Sequence, residues 1–187
     1  MQLLHSKKGS ENLALTYIRL ATQNDIPKML IIVKEAQQLL AFEGIPQWQN
    51  GYPSKETLLA DIAKKISYVL VVGQEVAGFA ALLQEPDDNY QKITDGEWIR
   101  PEDTHYATIH RIAVSSHFHG KHLAETFMNH LFSISYSLGF KQIRIDTHEK
   151  NTRMQYLIKK MGFTYSGIVY MNNNSDDCRN AYQLFVN

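Results

Sequence analysis

The stretch YATIHRIAVSSHFHGKHLAETF (Tyr106–Phe127) decides the fold of this chain. Its first nine residues predict a strand, and the turn that follows contains three histidines, a glycine and a lysine within six residues. Apolar residues then recur at helical spacing: Phe127, Leu131, Ile134 and Leu138. Gly139 ends this helix and a strand follows at residues 142–146, so we predict a parallel strand-helix-strand unit.

The flanking sequence predicts further strands and helices in a defined order. On the N-terminal side these are a strand at 16–22, a helix, a loop at 42–54, a second helix, the hairpin YVLVV and VAGFAALL, and a polar connection at 85–105. On the C-terminal side a helix at 152–161 and two strands within 163–171 and 179–186 complete the chain. The order is therefore strand, two helices and a hairpin, followed by strand, helix, strand, helix and two strands.

Composition excludes several classes of protein. The chain has 187 residues, of which 44% are hydrophobic and 20% are charged, as in a globular protein with one core. Nineteen basic residues balance nineteen acidic ones, so no overall field holds nucleic acid or an anionic membrane. We therefore expect neither partner, and any polyanion must bind locally.

The sequence also bears on compartment and on domain organisation. The single cysteine, Cys178, cannot form an internal disulfide, and no signal peptide or membrane span is evident. These features favour the cytoplasm. Residues 1–15 are expected to form a loose arm and residues 16–187 one domain.

The turn between the predicted strand and helix has the properties of a phosphate site. The first N–H groups of a helix lack partners within it, and the helix dipole adds partial positive charge, so an anion binds there. Gly120 allows close approach of the backbone, Lys121 adds a charge, and Ala124 is small where a ligand would crowd.

The same residues resemble the GNAT superfamily of N-acetyltransferases. The family signature Q/R-x-x-G-x-G/A, which binds the pyrophosphate of acetyl-CoA, matches residues 119–124, and FHGKHLA is similar to the family pattern YRGKGIG. The preceding IAV matches the end of the strand that bonds the pantetheine arm. A second family pattern, Asn followed by a helix ending in Gly-Phe, matches Asn151 through Phe163. The resemblance extends from about residue 16 to the end of the chain.

This resemblance implies a fold, a reaction and a set of cofactor residues. The fold is α/β: a mixed, mostly antiparallel central sheet with helices on both faces and a parallel strand-helix-strand unit that binds CoA. The reaction is direct attack of a primary amine of a small molecule or protein on acetyl-CoA in a ternary complex, without a metal. A non-catalytic acyl-CoA-binding module is the alternative. The residues expected at the cofactor are Ile112, Ala113, Val114, His119, Gly120, Lys121, His122, Leu123, Ala124 and Asn151.

The chain departs from the family pattern at three positions. His119 replaces Gln or Arg, and His122 replaces the first signature glycine, although both retain the backbone N–H groups that bind phosphate. Ile158 occupies the position at which many members carry a tyrosine that protonates the leaving thiolate. Tyr156 lies on another face of that helix, so we expect it to pack rather than to replace the missing tyrosine.

The clustered histidines permit two other interpretations. His117 and His122 have a spacing compatible with zinc, which would make the chain a zinc-binding interaction domain, but no cysteine or carboxylate cluster completes a ligand set. Alternatively, their side chains are simply solvated on an exposed turn. Neither alternative involves the backbone of the turn.

His110, in the middle of the predicted strand, is the candidate general base. A histidine suits the removal of a proton from an ammonium acceptor. The alternative is a structural histidine bonded to neighbouring backbone or to Glu97. Its neighbour Arg111 should point to the other face of the sheet and pair with an acidic residue.

Four residues are candidates for the acceptor site. Trp48 and Tyr52 could wall the cleft, or could fold onto the core. Asp146 and His148 lie at the carboxyl end of a strand, where open sheets bind ligands, although solvated loop ends are an equal alternative. The identity of the amine stays open, and a homodimer is the default expectation for assembly.

Overall fold

A computed structural model describes residues 14–100, 102–118 and 120–187. Most of the predicted arm, residues 1–13, and His119 lie outside the described residues. The strands are β1 (Thr16–Leu20), β2 (Ser67–Val72), β3 (Glu75–Leu83), β4 (Ala107–Val114), β5 (Gln142–Thr147), β6 (Thr164–Tyr170) and β7 (Cys178–Phe185). The α-helices are α1 (Ile26–Phe42), α2 (Lys55–Ala63), α3 (Leu123–Ser137) and α4 (Thr152–Lys160). The predicted order of strands and helices is confirmed.

The strands form one sheet in the order β1-β2-β3-β4-β5-β7-β6. Neighbouring strands are antiparallel except β4 and β5, which are parallel, as the strand-helix-strand unit predicts. The last strand, β7, lies between β5 and β6, which the sequence order alone does not indicate. The sheet is thus mixed and mostly antiparallel, and the predicted fold class is confirmed.

Helices cover both faces of the sheet because its central strands are apolar on both sides. In β2, Tyr68 and Leu70 face a core formed with α3 and α4, whereas Val69 and Val71 face a second core formed with α1 and α2. A strand buried on both faces has a continuous apolar sequence, and YVLVV in β2 shows this pattern. Among the described residues, no helix is both long and apolar enough to span a membrane.

The long connection between β3 and β4 covers the rest of the face on which α1 and α2 lie. Its described residues include a short 3₁₀ turn, Asp88–Tyr90. The Arg144 guanidinium lies between two aromatic rings of this region, 3.7 Å from the Tyr106 centroid and 4.1 Å from that of Trp98. The Gln183 side chain exchanges two hydrogen bonds with the backbone of Ile99. These contacts make the connection an ordered layer.

The parallel pairing of β4 with β5 is short. It runs from Ala107 opposite Ile143 to Ile109 opposite Ile145, and the described pairing stops there. Residues 110–114 pair only with β3, so the other edge of this part of β4 presents free backbone N–H and C=O groups. The two strands separate at His110 and open a cleft.

A β-bulge lies at the same point. Ala81 pairs with His110 and Phe79 with Ala113, so Ala80 alone faces two residues of β4. The first of them, Arg111, has a φ of 54°. A bulge changes the direction of side chains beside it, and this one accounts for the departure of Arg111 from simple alternation.

The start of α1 is held by one buried carboxylate. Both oxygens of Asp25 accept bonds from the Arg19 guanidinium at 2.8 Å, and Oδ2 also accepts the backbone N–H of Thr22. The bonds from Arg19 lower the pKa of Asp25 to about 2; burial opposes this effect and Thr22 adds to it.

We expect Asp25→Asn to lower the free energy of unfolding by about 1–2 kcal/mol at pH 7, allowing for solvent around the 38% exposed Arg19. Because the folded-state pKa is depressed, this stabilisation is present above the ordinary value of 3.8 and is lost as the pH falls toward about 2. Urea unfolding at pH 7 and pH 3 measures it.

The matched control is Glu75→Gln, which removes an exposed carboxylate at the start of β3. It should leave the free energy of unfolding nearly unchanged at both pH values. An Asp25→Asn deficit of equal size at pH 7 and pH 3 would contradict the role given to the ionised carboxylate.

Candidate functional site

A cleft of about 720 Å³ opens where β4 and β5 separate. Its walls come from α1, the loop after α1, β4, β5, α4 and the start of α3 and β7. Separating strands in an open sheet are a general location for ligand sites because backbone groups and strand ends converge there. The cleft is large enough to hold parts of two substrates.

The expected cofactor residues divide between the cleft wall and the turn that follows it. Ile112, Ala113, Val114, Ala124 and Asn151 line the cleft. The Asn151 side chain caps α4 by accepting the Met154 N–H at 3.1 Å, and its amide bonds Gln47 of the loop after α1. The free edge of β4 and the N-terminus of α3 are therefore presented to the same space.

The turn before α3 has a backbone that favours glycine at two positions. Gly120 has a φ of 76°, and an added Cβ would meet no atom within 4 Å, so conformation rather than space favours glycine. His122 has a φ of 52°, which explains the family preference for glycine there. Lys121 is exposed above the Phe118 ring, and the Leu123 side chain is buried in the core.

The two described histidines of the turn contact carboxylates on different helices. His117 Nε2 is 3.7 Å from Glu35 of α1, whereas His122 Nδ1 is 3.0 Å from Glu125 of α3, which also binds Lys160. Both histidine side chains are largely exposed. Within the described ranges, no group of three or more potential ligand residues is arranged to hold a metal.

His110 lies at the branch point of β4 and β5, and its side chain is 15% exposed. Its Nε2 is 2.6 Å from Asp87 Oδ2, and its Nδ1 is 3.7 Å from Asp146 Oδ1. Glu97, the partner considered from the sequence, is exposed and is not the residue bonded to His110. The bonded carboxylate is Asp87, on the long connection, because the ordered layer brings that residue over β4.

Two further groups complete this charged cluster. Burial raises the pKa of Asp87, but its bond with His110 and its two bonds from Asn89 outweigh burial and lower the pKa overall. Tyr90 is fully buried and donates its hydroxyl to Asp146 Oδ1 at 2.6 Å. Burial, and then the charge of Asp146, raise the pKa of Tyr90 well above its ordinary value, so the phenol stays protonated.

Arg111 forms the acidic pair that was predicted, with Asp61 of α2. Its Nε and Nη2 donate to the two carboxylate oxygens at 2.8 and 2.9 Å, and its Nη1 donates to the Tyr52 hydroxyl. However, Arg111 and His110 line the same cleft, so the predicted opposite orientation is wrong. The bulge and the positive φ interrupt the alternation on which that prediction depended.

Three of the four acceptor candidates line the cleft: Trp48, Tyr52 and Asp146. His148 is buried outside this lining, and its Nδ1 accepts the backbone N–H of Lys150. Burial, followed by the charge of Arg179, lowers the pKa of His148. The structure thus brings the first three residues together but not His148.

The helix position of the missing family tyrosine faces the core. Ile158 is fully buried among apolar residues of α3, α4 and the sheet. Tyr156, which was expected to pack, is 69% exposed and lies among the residues of the cleft, so that prediction is wrong. The packed face of α4 is instead formed by Met154, Leu157 and Ile158, and Met161, directly after the helix, packs with them.

Sequence reasoning did not identify Asp87, Tyr90 or Asp61 as parts of the site. They come from a connection and a helix that reach the site only in the folded chain. Asp87 is 23 residues from His110, Tyr90 is 56 residues from Asp146, and Asp61 is 50 residues from Arg111. The one local signal was the short acidic turn EPDDNY, residues 85–90. An Asp followed two residues later by Asn is typical of a side-chain-capped turn, but it does not indicate a partner.

The chain was compared with protein families and with solved structures. Residues 33–163 match the model of the Acetyltransferase (GNAT) family. An acetyltransferase of the GNAT family from Streptococcus agalactiae has 32% identity and a TM-score of 0.83, with 92% of this chain and 96% of that chain covered. Comparison with curated proteins gives no significant match.

Two more distant structures share the fold. A GNAT-family acetyltransferase from Listeria monocytogenes has 19% identity and a TM-score of 0.71, over 91% of this chain and 95% of that one. The yncA protein of Salmonella typhimurium, solved with its cofactor acetyl-CoA, has 15% identity and a TM-score of 0.63, over 93% and 95% of the two chains. The family match over most of the chain, together with the first of these structures, shows that this protein belongs to the GNAT family of acetyltransferases.

Proposed function

We propose that the protein is an N-acetyltransferase that moves the acetyl group of acetyl-CoA to a primary amine by direct attack in a ternary complex. The observation that carries this proposal is the position of His110. It lies where β4 and β5 separate, bonded to Asp87, beside the free backbone edge of β4 and inside the cleft. Catalysis of this reaction requires positioning, removal of a proton and a donor to the carbonyl oxygen.

The chain offers separate binding groups for the parts of acetyl-CoA. The free N–H and C=O groups of residues 110–114 suit the amides of the pantetheine arm, as an added strand bonds a sheet edge. The N–H groups at the start of α3, a helix of 15 residues, suit the pyrophosphate. Bound there, acetyl-CoA supplies an activated acyl group as a thioester.

The remaining requirements fall on side chains and backbone of this cleft. His110 takes the proton of the amine, and a backbone N–H near Val114 polarises the thioester carbonyl. Cys178 begins β7 and is not among the residues of the cleft, which agrees with direct attack rather than acyl transfer through a thiol. Trp48, Tyr52 and Asp146 are proposed to contact the acceptor.

We further propose that residues 16–187 form one catalytic domain, which the family match at 33–163 and the continuous sheet support. The lone cysteine supports a reducing compartment, the cytoplasm.

Mixing the protein with acetyl-CoA and an amine panel should release free thiol. Polyamines, amino acids, aminoglycosides and peptides form the panel. With an active amine, His110→Ala should lower kcat/KM by about 10²–10⁴-fold, the usual contribution of a general base. His130→Ala, on α3 outside the cleft, is the control and should retain activity.

A second measurement distinguishes catalysis from cofactor binding alone. CoA should raise the melting temperature of wild type and of His110→Ala alike. Stabilisation by CoA without turnover on any amine would contradict the proposal and favour a non-catalytic acyl-CoA-binding module.

The backbone role of the turn gives another prediction. His122→Gly should leave the Kd for CoA within about threefold of wild type, because the exposed bond to Glu125 contributes little and backbone N–H groups bind the anion. His122→Val should weaken CoA binding about tenfold: a β-branched residue disfavours the left-handed conformation more than histidine does, so the free turn relaxes and CoA binding must restore it at a cost of about 1.4 kcal/mol.

Isothermal titration with CoA measures both variants. Tenfold weaker binding by His122→Gly would indicate that the imidazole itself donates to the cofactor. Clearly tighter binding would indicate that it crowds the cofactor. Either result would contradict a purely conformational role for residue 122.

A further inference from the structure

The two ring nitrogens of His110 face two different carboxylates at different distances. Nε2 is 2.6 Å from Asp87 Oδ2, which is a hydrogen bond, whereas Nδ1 is 3.7 Å from Asp146 Oδ1, which is too long for one. A neutral imidazole carries its proton on one nitrogen only. The surroundings therefore determine which nitrogen remains basic.

Asp87 can only accept hydrogen bonds from its neighbours. It is a carboxylate, as its lowered pKa indicates, with burial outweighed by bonds from His110 and Asn89. Its Oδ1 accepts both the backbone N–H and the side-chain amide of Asn89 at 2.8 Å. The bond at Oδ2 must then come from Nε2–H, so in a neutral imidazole the lone pair lies on Nδ1.

Asp146 is held opposite this lone pair. The hydroxyl of Tyr90 donates to its Oδ1 at 2.6 Å, and the Tyr90 carbonyl accepts the Trp98 indole N–H at 3.0 Å. On the other side, Oδ2 is 4.0 Å from the Nε of Arg179. The carboxylate is therefore fixed at the side of Nδ1, and both residues line the cleft.

The charges facing His110 sum to a negative value. Arg111 is paired with Asp61, and Arg179 with Asp177, so each pair is close to neutral. Asp87 and Asp146 remain as two acidic side chains beside the imidazole. A cationic ligand at Nδ1 would be stabilised by this excess of negative charge.

We propose that Asp87 is a positioning residue that keeps the His110 proton on Nε2, and that Asp146 binds the acceptor as an ammonium ion next to Nδ1, the atom that takes its proton. This inference rests on the proposed function. The ammonium N–H bond breaks, its proton bonds to Nδ1, and the freed lone pair attacks the acetyl carbon. The C–S bond then breaks with its electron pair on sulfur, and the second surplus proton of nitrogen passes to the thiolate.

The tautomer of His110 tests the positioning role without any substrate. In ¹⁵N-labelled protein, in the pH range where the NMR spectrum itself shows a neutral imidazole, the couplings between each ring nitrogen and the carbon-bound ring protons identify the protonated nitrogen. We expect the proton on Nε2. A neutral His110 with its proton on Nδ1 would overturn this inference. The proposed acetyltransferase function would still stand.

Asp87→Asn should reverse this tautomer. The two donors of Asn89 require an acceptor at the Oδ1 position, so the new amide oxygen lies there and its NH₂ group faces Nε2. The imidazole proton then moves to Nδ1, and kcat should fall by about 10²–10⁴-fold. The Kd for CoA should stay at the wild-type value. The NMR couplings of the same variant should show the imidazole proton on Nδ1.

Asp88→Asn is the matched control for this variant. Asp88 is the exposed neighbour of Asp87 and accepts a bond from the Gln91 side chain. The Asp88→Asn protein should keep the wild-type tautomer of His110 and the wild-type kcat. A folded Asp87→Asn protein with normal kcat, or one that is slow with an unchanged tautomer, would contradict the positioning role.

Asp146→Asn tests the ammonium site separately. Its amide oxygen can still accept the Tyr90 hydroxyl, so the charge changes more than the packing. We expect KM for the amine to rise about 10–100-fold, the size of one charged hydrogen bond, while the His110 tautomer and the Kd for CoA do not change. An unchanged amine KM in a folded variant would refute the assignment of Asp146.

Discussion

The short parallel contact between β4 and β5 is the constraint on which the rest of the structure depends. Three residue pairs hold the strands together, from Ala107 opposite Ile143 to Ile109 opposite Ile145, and the strands then separate. A longer pairing would satisfy the backbone of β4 internally and would close the cleft. A shorter one would leave α3 without a joined sheet to cover, because Phe127 and Leu131 belong to the same apolar core as residues of both strands.

The charged cluster at the branch point depends on the aromatic layer around it. Buried carboxylates are costly unless hydrogen bonds satisfy them, and both Asp87 and Asp146 receive such bonds from the long connection, through Asn89 and Tyr90. That connection is held by Trp98 and by the Arg144 guanidinium between two rings. Side chains distant from the cleft thus determine where the two carboxylates face His110.

The sequence predicted what depends on local pattern. Apolar periodicity located the strands and helices, because such signals are local. The anion site at the turn before α3 stays a prediction from glycine and helix-start signals, which are also local. The sequence could not predict that β7 inserts between β5 and β6, or that Asp87 rather than Glu97 bonds His110, because both depend on long-range packing. The orientation of Arg111 was missed for a related reason: one extra residue in β4 reverses an alternation that was otherwise correct.

Ile158 has no hydroxyl with which to protonate a leaving thiolate, as the tyrosine at this position of other members is expected to do, and the proposed acceptor state supplies another proton. An amine that binds as an ammonium ion has two protons to lose before it becomes an amide. In the proposed mechanism His110 takes one of them. The second is released only when the C–N bond forms, because the nitrogen then becomes strongly acidic and the sulfur is a nearby base. A tyrosine on α4 is then unnecessary for proton balance, and position 158 can pack in the core between α4 and the sheet. In the proposed mechanism, the negative charge around His110 and the apolar residue on α4 are thus two parts of one arrangement, in which the acceptor supplies the proton for the leaving thiolate.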